Sequence, residues 1–185
     1  MTQRVADQDP SQKSASRTKY EAFTSRDGIL KLTEHFALKA PRCQFGSAEM
    51  SLIRSRNTRS HEVFIALRVE YQENGDYPQR GASVLDEDEL LSLASALKYM
   101  IENRKLIING AQTYTEVNYN SRGGFAAGLY IEPSNRKTGE FMKLDGLTAF
   151  LVSLSDLAAS VDEALFKIEV LRDGAQTPML PSADP

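Results

Sequence analysis

Residues 86–101 read DEDELLSLASALKYMI, and residues 153–168 read SLSDLAASVDEALFKI. A shift of 67 residues aligns the two stretches without a gap. The first stretch begins with a D-x-x-E pattern, Asp86 and Glu89, which is typical of a helix start. The second stretch begins with the equivalent pair, Ser153 and Asp156. A side-chain oxygen at such a start accepts an unpaired backbone amide, and the later carboxylate favours the positive end of the helix. The two stretches therefore predict two copies of one helix.

Apolar residues recur along both stretches at spacings of four, three and four residues. Because an α-helix turns once every 3.6 residues, this spacing places them in one stripe on the helix surface. Each helix is therefore expected to bury one face. The stripe consists of Leu90, Ala94, Leu97 and Ile101 in the first copy and of Leu157, Val161, Ala164 and Ile168 in the second.

Strand-like segments precede each helix in the same order. Residues 81–85 and 148–152 lead directly into the two helices, and VFIALRVEY from residue 63 resembles FAAGLYIEP from residue 125 at a shift of 62 residues. The alternation in this second pair is typical of half-buried strands, because successive side chains of a strand point to opposite faces. The expected inward set is Val63, Ile65, Leu67 and Val69 in one copy and Phe125, Ala127, Leu129 and Ile131 in the other.

Further strands are predicted at residues 48–55, 114–121 and 140–144, with a glycine-containing turn at 120–124. The segment at residues 29–38, ILKLTEHFAL, fits a strand with Glu34 as the exception, and a short helix fits it nearly as well.

These elements predict an α+β fold of two tandem modules, each an antiparallel sheet plus a helix in a ββββα-like order. We expect the modules at residues 29–105 and 112–170, related by a pseudo-twofold axis and sharing one core, since so small a unit buries little by itself. Residues 1–18 are polar, and residues 172–185 are rich in Pro, Gly and Ser. We expect them to form a disordered arm and a disordered tail.

Composition excludes several classes of protein. The chain has 185 residues, 41% of them hydrophobic, and a net charge of −3, which is typical of a globular protein. With one cysteine, Cys43, and two histidines, neither an internal disulfide nor a metal site is expected. No apolar run reaches the roughly 20 residues of a spanning helix, and the opening residues lack the apolar region of a secretory signal. No motif announces catalysis. We therefore expect a cytoplasmic, non-enzymatic protein without a cofactor.

The sheet face that each helix leaves uncovered is the expected place for function, since an antiparallel sheet needs to bury only one face. Aromatic rings that stack on bases and arginines that meet phosphates are what a single-strand binder requires. Three arginines within residues 51–62 are expected at a hairpin tip. The candidate nucleic-acid-binding residues are Arg54, Arg56, Arg59, Phe64, Arg68, Asn118, Asn120, Arg122 and Tyr130.

The tandem order of four strands and a helix, over about residues 29–170, resembles that of the Whirly and PC4-type transcriptional regulators. The resemblance implies that the sheets bind single-stranded DNA or RNA in a transcription-related role. It rests on the order of elements, and the chain lacks the lysine-rich KGKAAL-type strand of Whirly proteins.

The alternative interpretation is a protein-interaction or self-assembling module, a homodimer or homo-oligomer. In that case Phe64 and Tyr130 would be buried anchors, and the small Ala126 and Gly128 would let a partner approach closely. The two hypotheses differ in salt dependence. Nucleic-acid binding should weaken steeply with salt, whereas an apolar interface should persist.

Overall fold

Two four-stranded antiparallel sheets, each followed by a helix, form the protein in a computed structural model that describes residues 18–132, 134 and 137–174. A short helix, α1 (Lys19–Thr24), comes first. Sheet A contains β1 (Lys31–Leu38), β2 (Gly46–Asn57), β3 (Val63–Glu73) and β4 (Arg80–Asp86), and α2 (Glu87–Glu102) and α3 (Arg104–Gly110) follow it. Sheet B contains β5 (Thr115–Asn120), β6 (Ala126–Glu132), β7 (Lys137–Leu144) and β8 (Leu147–Leu151), and α4 (Leu154–Gly174) follows it. The predicted α+β fold of two tandem modules is confirmed.

The described residues include only the inner borders of the predicted arm and tail. Residues 1–17 and 175–185 lie outside the described residues. Thr18, the last residue of the predicted arm, is the N-cap of α1, and α4 continues through the start of the predicted tail to Gly174.

The ambiguous segment at residues 29–38 forms a strand, β1, from Lys31 to Leu38. Its pairing with β2 places Phe36 opposite Leu52 and Glu34 opposite Arg54. The carboxylate of Glu34 lies 2.7 Å from the guanidinium of Arg54, so the residue that broke the apolar pattern is paired across the strands. A cross-strand ion pair of this kind stabilises a sheet.

The two modules share one apolar core. Leu90 of α2 and Leu157 of α4 are both fully buried in a single cluster that draws on both sheets. The helices α2 and α4 pack against each other, α4 also lies against β1 and β2, and α2 also lies against β5 and β6. Since each helix contacts the sheet of the other module, the interior is completed only when both modules are present. The predicted common interior is confirmed.

The predicted strand faces agree with the burial of their residues, with one exception. Seven of the eight expected inward residues on β3 and at β6 belong to the shared core. Val63, the eighth, is 43% exposed because it begins β3 beyond the end of the core. We call the face of each sheet that points away from the shared core its outer face.

The helix α1 was not predicted, and it corrects the expectation that both outer faces are free. Phe23 of α1 is fully buried, and its ring stacks on Phe64 of β3 with the centroids 4.6 Å apart. The backbone N–H groups of Lys19 and Tyr20 donate to the carboxylate of Asp86, at 2.7 and 3.0 Å. Part of the outer face of sheet A is therefore covered.

The segment between β1 and β2 closes the free edge of sheet B. Gln44 N donates to Phe150 O and Val152 N donates to Arg42 O, both at 2.9 Å, so this segment pairs with β8. An unpaired strand edge is a site of unwanted association, and here the first module covers the edge of the second. The same pairing carries Phe45 to the outer face of sheet B.

Candidate nucleic-acid interface

The outer face of sheet B receives side chains from all four of its strands. On β5, Glu116 and Asn118 are exposed, whereas Tyr119 between Asn118 and Asn120 turns inward and donates from Oη to Glu89 O on α2 at 3.2 Å. Strand pairing aligns the outward residues across the sheet. They are Glu116, Asn118 and Asn120 on β5, Ala126, Gly128, Tyr130 and Glu132 on β6, Lys137, Gly139, Phe141 and Lys143 on β7, and Thr148 and Phe150 on β8.

Four aromatic rings, Tyr114, Tyr130, Phe150 and Phe45, form a continuous line that we call the aromatic row. Successive ring centroids along it are 6.4, 6.2 and 6.3 Å apart. The two end rings, Tyr114 and Phe45, are 59% and 61% exposed. Tyr130 and Phe150 between them are half-buried. Exposed rings of this kind mark a surface that planar or apolar groups can contact.

Gly139 allows Tyr130 to lie across the sheet. The two residues pair between β6 and β7, and a Cβ added at Gly139 would stand 2.3 Å from Cε1 of the Tyr130 ring. No side chain fits in that space unless the ring moves. Glycine at this position therefore sets the height of the ring in the aromatic row.

The carboxylate of Glu116 organises the polar side of the face. It accepts from Tyr114 Oη at 2.5 Å, and the ammonium of Lys143 and the amide of Asn118 each lie 3.4 Å away. The hydrogen bond from Tyr114 is the main reason that the pKa of Glu116 lies below its ordinary value. The same bond raises the pKa of Tyr114. Glu116 is therefore charged at neutral pH and faces Lys143.

Amide and cationic groups lie beside the rings. Asn120 Nδ2 donates to Asn118 Oδ1 at 2.8 Å, which aligns two exposed amides along β5. Lys143 Nζ stands 4.8 Å from the centroid of Phe141, a nearly fully buried ring on the same face. The face thus combines exposed rings, hydrogen-bonding amides and a cation whose charge Glu116 balances.

The predicted arginine tip does not form as expected. Because β2 extends to Asn57, Arg54 and Arg56 lie within the strand, and only Arg59 lies in the turn. Register places Arg54 opposite Ile65 and Arg56 opposite Val63, on the inward face of sheet A. Arg54 also stands 5.6 Å from the ring centroid of Phe36.

Three further candidate residues are engaged within the protein. Phe64 lies beneath Phe23, and Arg68 pairs with Glu70 at 2.5 Å. Arg122, in the turn between β5 and β6, reaches the first turn of α2. Its guanidinium pairs with Asp86, Asp88 and Glu89 at 3.1, 2.6 and 3.5 Å.

Of the nine candidate residues, Asn118, Asn120 and Tyr130 come together on the outer face of sheet B. The sequence reasoning missed Tyr114, Phe45, Phe150 and Lys143. Alternation along residues 148–152 would have placed Phe150 outward, opposite to Ala149 and Leu151. Phe45 carries no such signal, because its position depends on pairing between modules.

The described part of the chain was also searched for metal sites, membrane-spanning helices and a reactive cysteine. No group of three or more His, Cys, Asp or Glu side chains there could hold a metal ion. None of the helices described is both long and apolar enough to cross a membrane. Burial raises the pKa of the Cys43 thiol to about 11, which leaves it a poor nucleophile at neutral pH.

The chain was compared with models of protein families, with curated proteins and with solved structures, and none of these comparisons found a match.

Proposed function

We propose that this protein is a non-enzymatic binding protein that holds single-stranded nucleic acid on the outer face of sheet B. The observation that carries the proposal is the aromatic row, with its rings at intervals of 6.2 to 6.4 Å and both end rings exposed. Stacking of a base on an aromatic ring contributes about 1–3 kcal/mol and tolerates any sequence, since every base has a π-face.

The neighbouring polar groups fit the same ligand. Asn118 and Asn120 offer amide donors and acceptors to base edges, and Lys143 offers a cation to a phosphate. Unpaired bases expose these edges, whereas a duplex hides its base faces in the stack. A single strand is therefore the form of nucleic acid that this face accommodates.

The charge of the face predicts a shallow salt dependence, in contrast to the steep one expected from the sequence. Arg54, Arg68 and Arg122 lie away from this face and are paired with carboxylates, and Lys143 on the face is balanced by Glu116. Engaging one or two phosphates gives a slope of about −0.7 to −1.4 for the logarithm of affinity against that of salt concentration. Stacking then supplies most of the affinity.

The order of elements is the other reason for this proposal. Four antiparallel strands followed by a helix occur twice, which is the pattern on which the resemblance to Whirly and PC4-type regulators rests. A transcription-related role in the cytoplasm belongs to the same proposal.

The test is a fluorescence-anisotropy titration of a labelled single-stranded oligonucleotide. Tyr130→Ala should weaken binding about tenfold, within the range of one lost base stack. Phe166→Ala is the matched control, since Phe166 is a 68% exposed ring on α4 and its loss should leave affinity unchanged. Equal affinities of the parent chain and Tyr130→Ala would refute the proposal, as would equal weakening by both variants.

A second candidate function is self-association through the same face. The exposure of Phe45 and Tyr114 favours it, because rings at 61% and 59% exposure on a nearly neutral surface can anchor a protein interface. Light scattering after size exclusion gives the mass in solution. A dimer that Tyr114→Ser dissociates, together with no oligonucleotide binding by the parent chain, would establish this alternative over the first.

A further inference from the structure

The outer face of sheet A contains a stacking ring that is already occupied. Phe23 of α1 lies on Phe64 with a centroid distance of 4.6 Å and an angle of 26° between the ring planes. Arg26 and Lys31 stand 5.5 and 6.0 Å from the centroid of Phe23. An aromatic ring stacked on Phe64 with cations over its other face is an arrangement that a nucleobase could also adopt.

Beneath α1 this face also holds a buried hydrogen-bonding group. Ser55 is fully buried, and its Oγ donates to Tyr20 Oη on α1 at 3.3 Å and lies 3.0 Å from Thr33 Oγ. If α1 moved away, this hydroxyl would lose a partner, and the polar edge of a base could replace it. The covered surface therefore has both a ring and a polar group to offer.

The helix α1 is short and is held in place by the surfaces around it. It has six residues, and a helix of this length depends on what it packs against. Polar contacts hold both of its ends. At the N-terminal end Asp86 accepts two of its backbone amides and Lys19 pairs with Asp88 at 2.9 Å, and at the C-terminal end Lys31 Nζ donates to Thr24 O. Beyond that end the chain passes through Gly28, which has a φ of 72°, before β1 begins.

We propose that the outer face of sheet A is a second single-strand-binding face, which α1 masks by placing Phe23 where a base would stack on Phe64. The inference rests on the function proposed for sheet B and extends it, because the two modules then carry one open and one masked platform. Release of α1 would double the number of platforms.

The experiment separates the two faces by working in a chain whose sheet B platform is impaired. Tyr130→Ala alone should bind the labelled oligonucleotide weakly. Adding Phe23→Ala should restore binding by about tenfold, since Phe64 then becomes available for one base stack. Adding Phe64→Ala as a third change should remove that gain.

The outcomes distinguish this inference from the function on which it rests. If Tyr130→Ala weakens binding and Phe23→Ala restores nothing, the masked platform is refuted and sheet B remains the binding face. A gain that survives Phe64→Ala also refutes it. If neither the parent chain nor any variant binds, both proposals fall.

A milder variant covers the case in which Phe23→Ala does not fold. Thr18 Oγ accepts from Glu21 N at 3.0 Å in the cap of α1, and Thr18→Ala weakens that cap without changing the face of sheet A. In the Tyr130→Ala background it should raise affinity in the same direction by a smaller factor. Circular dichroism checks that the fold is retained, and an unchanged affinity in a folded chain would overturn the inference.

Discussion

Replacing Arg122 by alanine should destabilise the protein without removing the proposed binding face. Arg122 lies in module two and pairs with three carboxylates at the start of α2 in module one. Two of these carboxylates are nearly buried, with side-chain exposures of 4% for Asp86 and 9% for Glu89, whereas the Arg122 side chain is 43% exposed. The arginine therefore balances charge that the protein has largely removed from water.

The magnitude lies between two limits. Exposed ion pairs contribute about 0.2–1 kcal/mol, and removing one partner of a buried pair costs about 3–5 kcal/mol. Asp86 keeps the backbone amides of α1, and Glu89 keeps the amide of residue 122 at 2.7 Å, so both carboxylates retain donors. We expect a loss of about 2 kcal/mol, or about 4–8 °C in melting temperature for a chain of this size.

Urea and thermal unfolding at pH 7 measure this loss, with Arg59→Ala as the control because Arg59 is an exposed arginine in a turn. Burial raises the pKa of Asp88, but the hydrogen bonds from Lys19 and Arg122 outweigh it and hold that pKa below its ordinary value. A lowered pKa stabilises the fold above the ordinary carboxyl pKa, and the contribution disappears as pH falls through the lowered value.

The cost of Arg122→Ala should therefore shrink as pH falls below about 4. A loss of stability under about 0.5 kcal/mol at pH 7, equal to that of the control, would show that the ion pairs of Arg122 do not stabilise the contact between modules. Oligonucleotide affinity of the folded variant should match that of the parent chain. A tenfold loss of affinity would instead indicate that Arg122 takes part in binding, as the sequence predicted.

Three further outcomes follow from single positions. Leu157→Ala should lower the free energy of urea unfolding by about 2–5 kcal/mol, because Leu157 is fully buried. Leu106→Ala, at a position 72% exposed, should lower it little, and similar losses would contradict the shared core. Gly139→Ala should weaken oligonucleotide binding about as much as Tyr130→Ala, since the added Cβ displaces the Tyr130 ring. Gly110→Ala is the control and should leave binding unchanged, because Gly110 has open space around it. Cys43, with a pKa of about 11, should react with a thiol reagent at pH 8 roughly a hundred times more slowly than free cysteine, and an equal rate would contradict its burial.

The two long helices could be predicted because each carries its own apolar stripe and start signal. For β1 the local sequence was insufficient, since Glu34 interrupts its pattern and its partner, Arg54, is twenty residues away. The short helix α1 was not predicted, although Thr18 and Glu21 form a capping box at its start. Its stability comes from Phe64 and from Asp86, which lies more than sixty residues along the chain from the amides it accepts.

The proposed binding face was harder to predict from the sequence than the fold. Alternation placed Tyr130, Asn118 and Asn120 outward, and these positions follow from the strand period alone. The arginines were assigned to the binding face only because arginine binds phosphate and because three of them are close together in the sequence. Arg54 and Arg122 instead have acidic partners on another strand or helix, and a sequence does not disclose ion pairs between distant elements.

The two copies of the module have diverged in how they use equivalent outward positions. At the shift of 62 residues, Phe64 of β3 corresponds to Ala126 of β6, and Arg68 corresponds to Tyr130. In sheet A the outward ring is buried against α1, while the outward cation pairs with Glu70. In sheet B the outward ring joins the aromatic row, next to the exposed Tyr114. Because the outward ring of sheet A is covered by α1 and that of sheet B is not, the proposed function is assigned to sheet B, and binding by sheet A requires the release of α1.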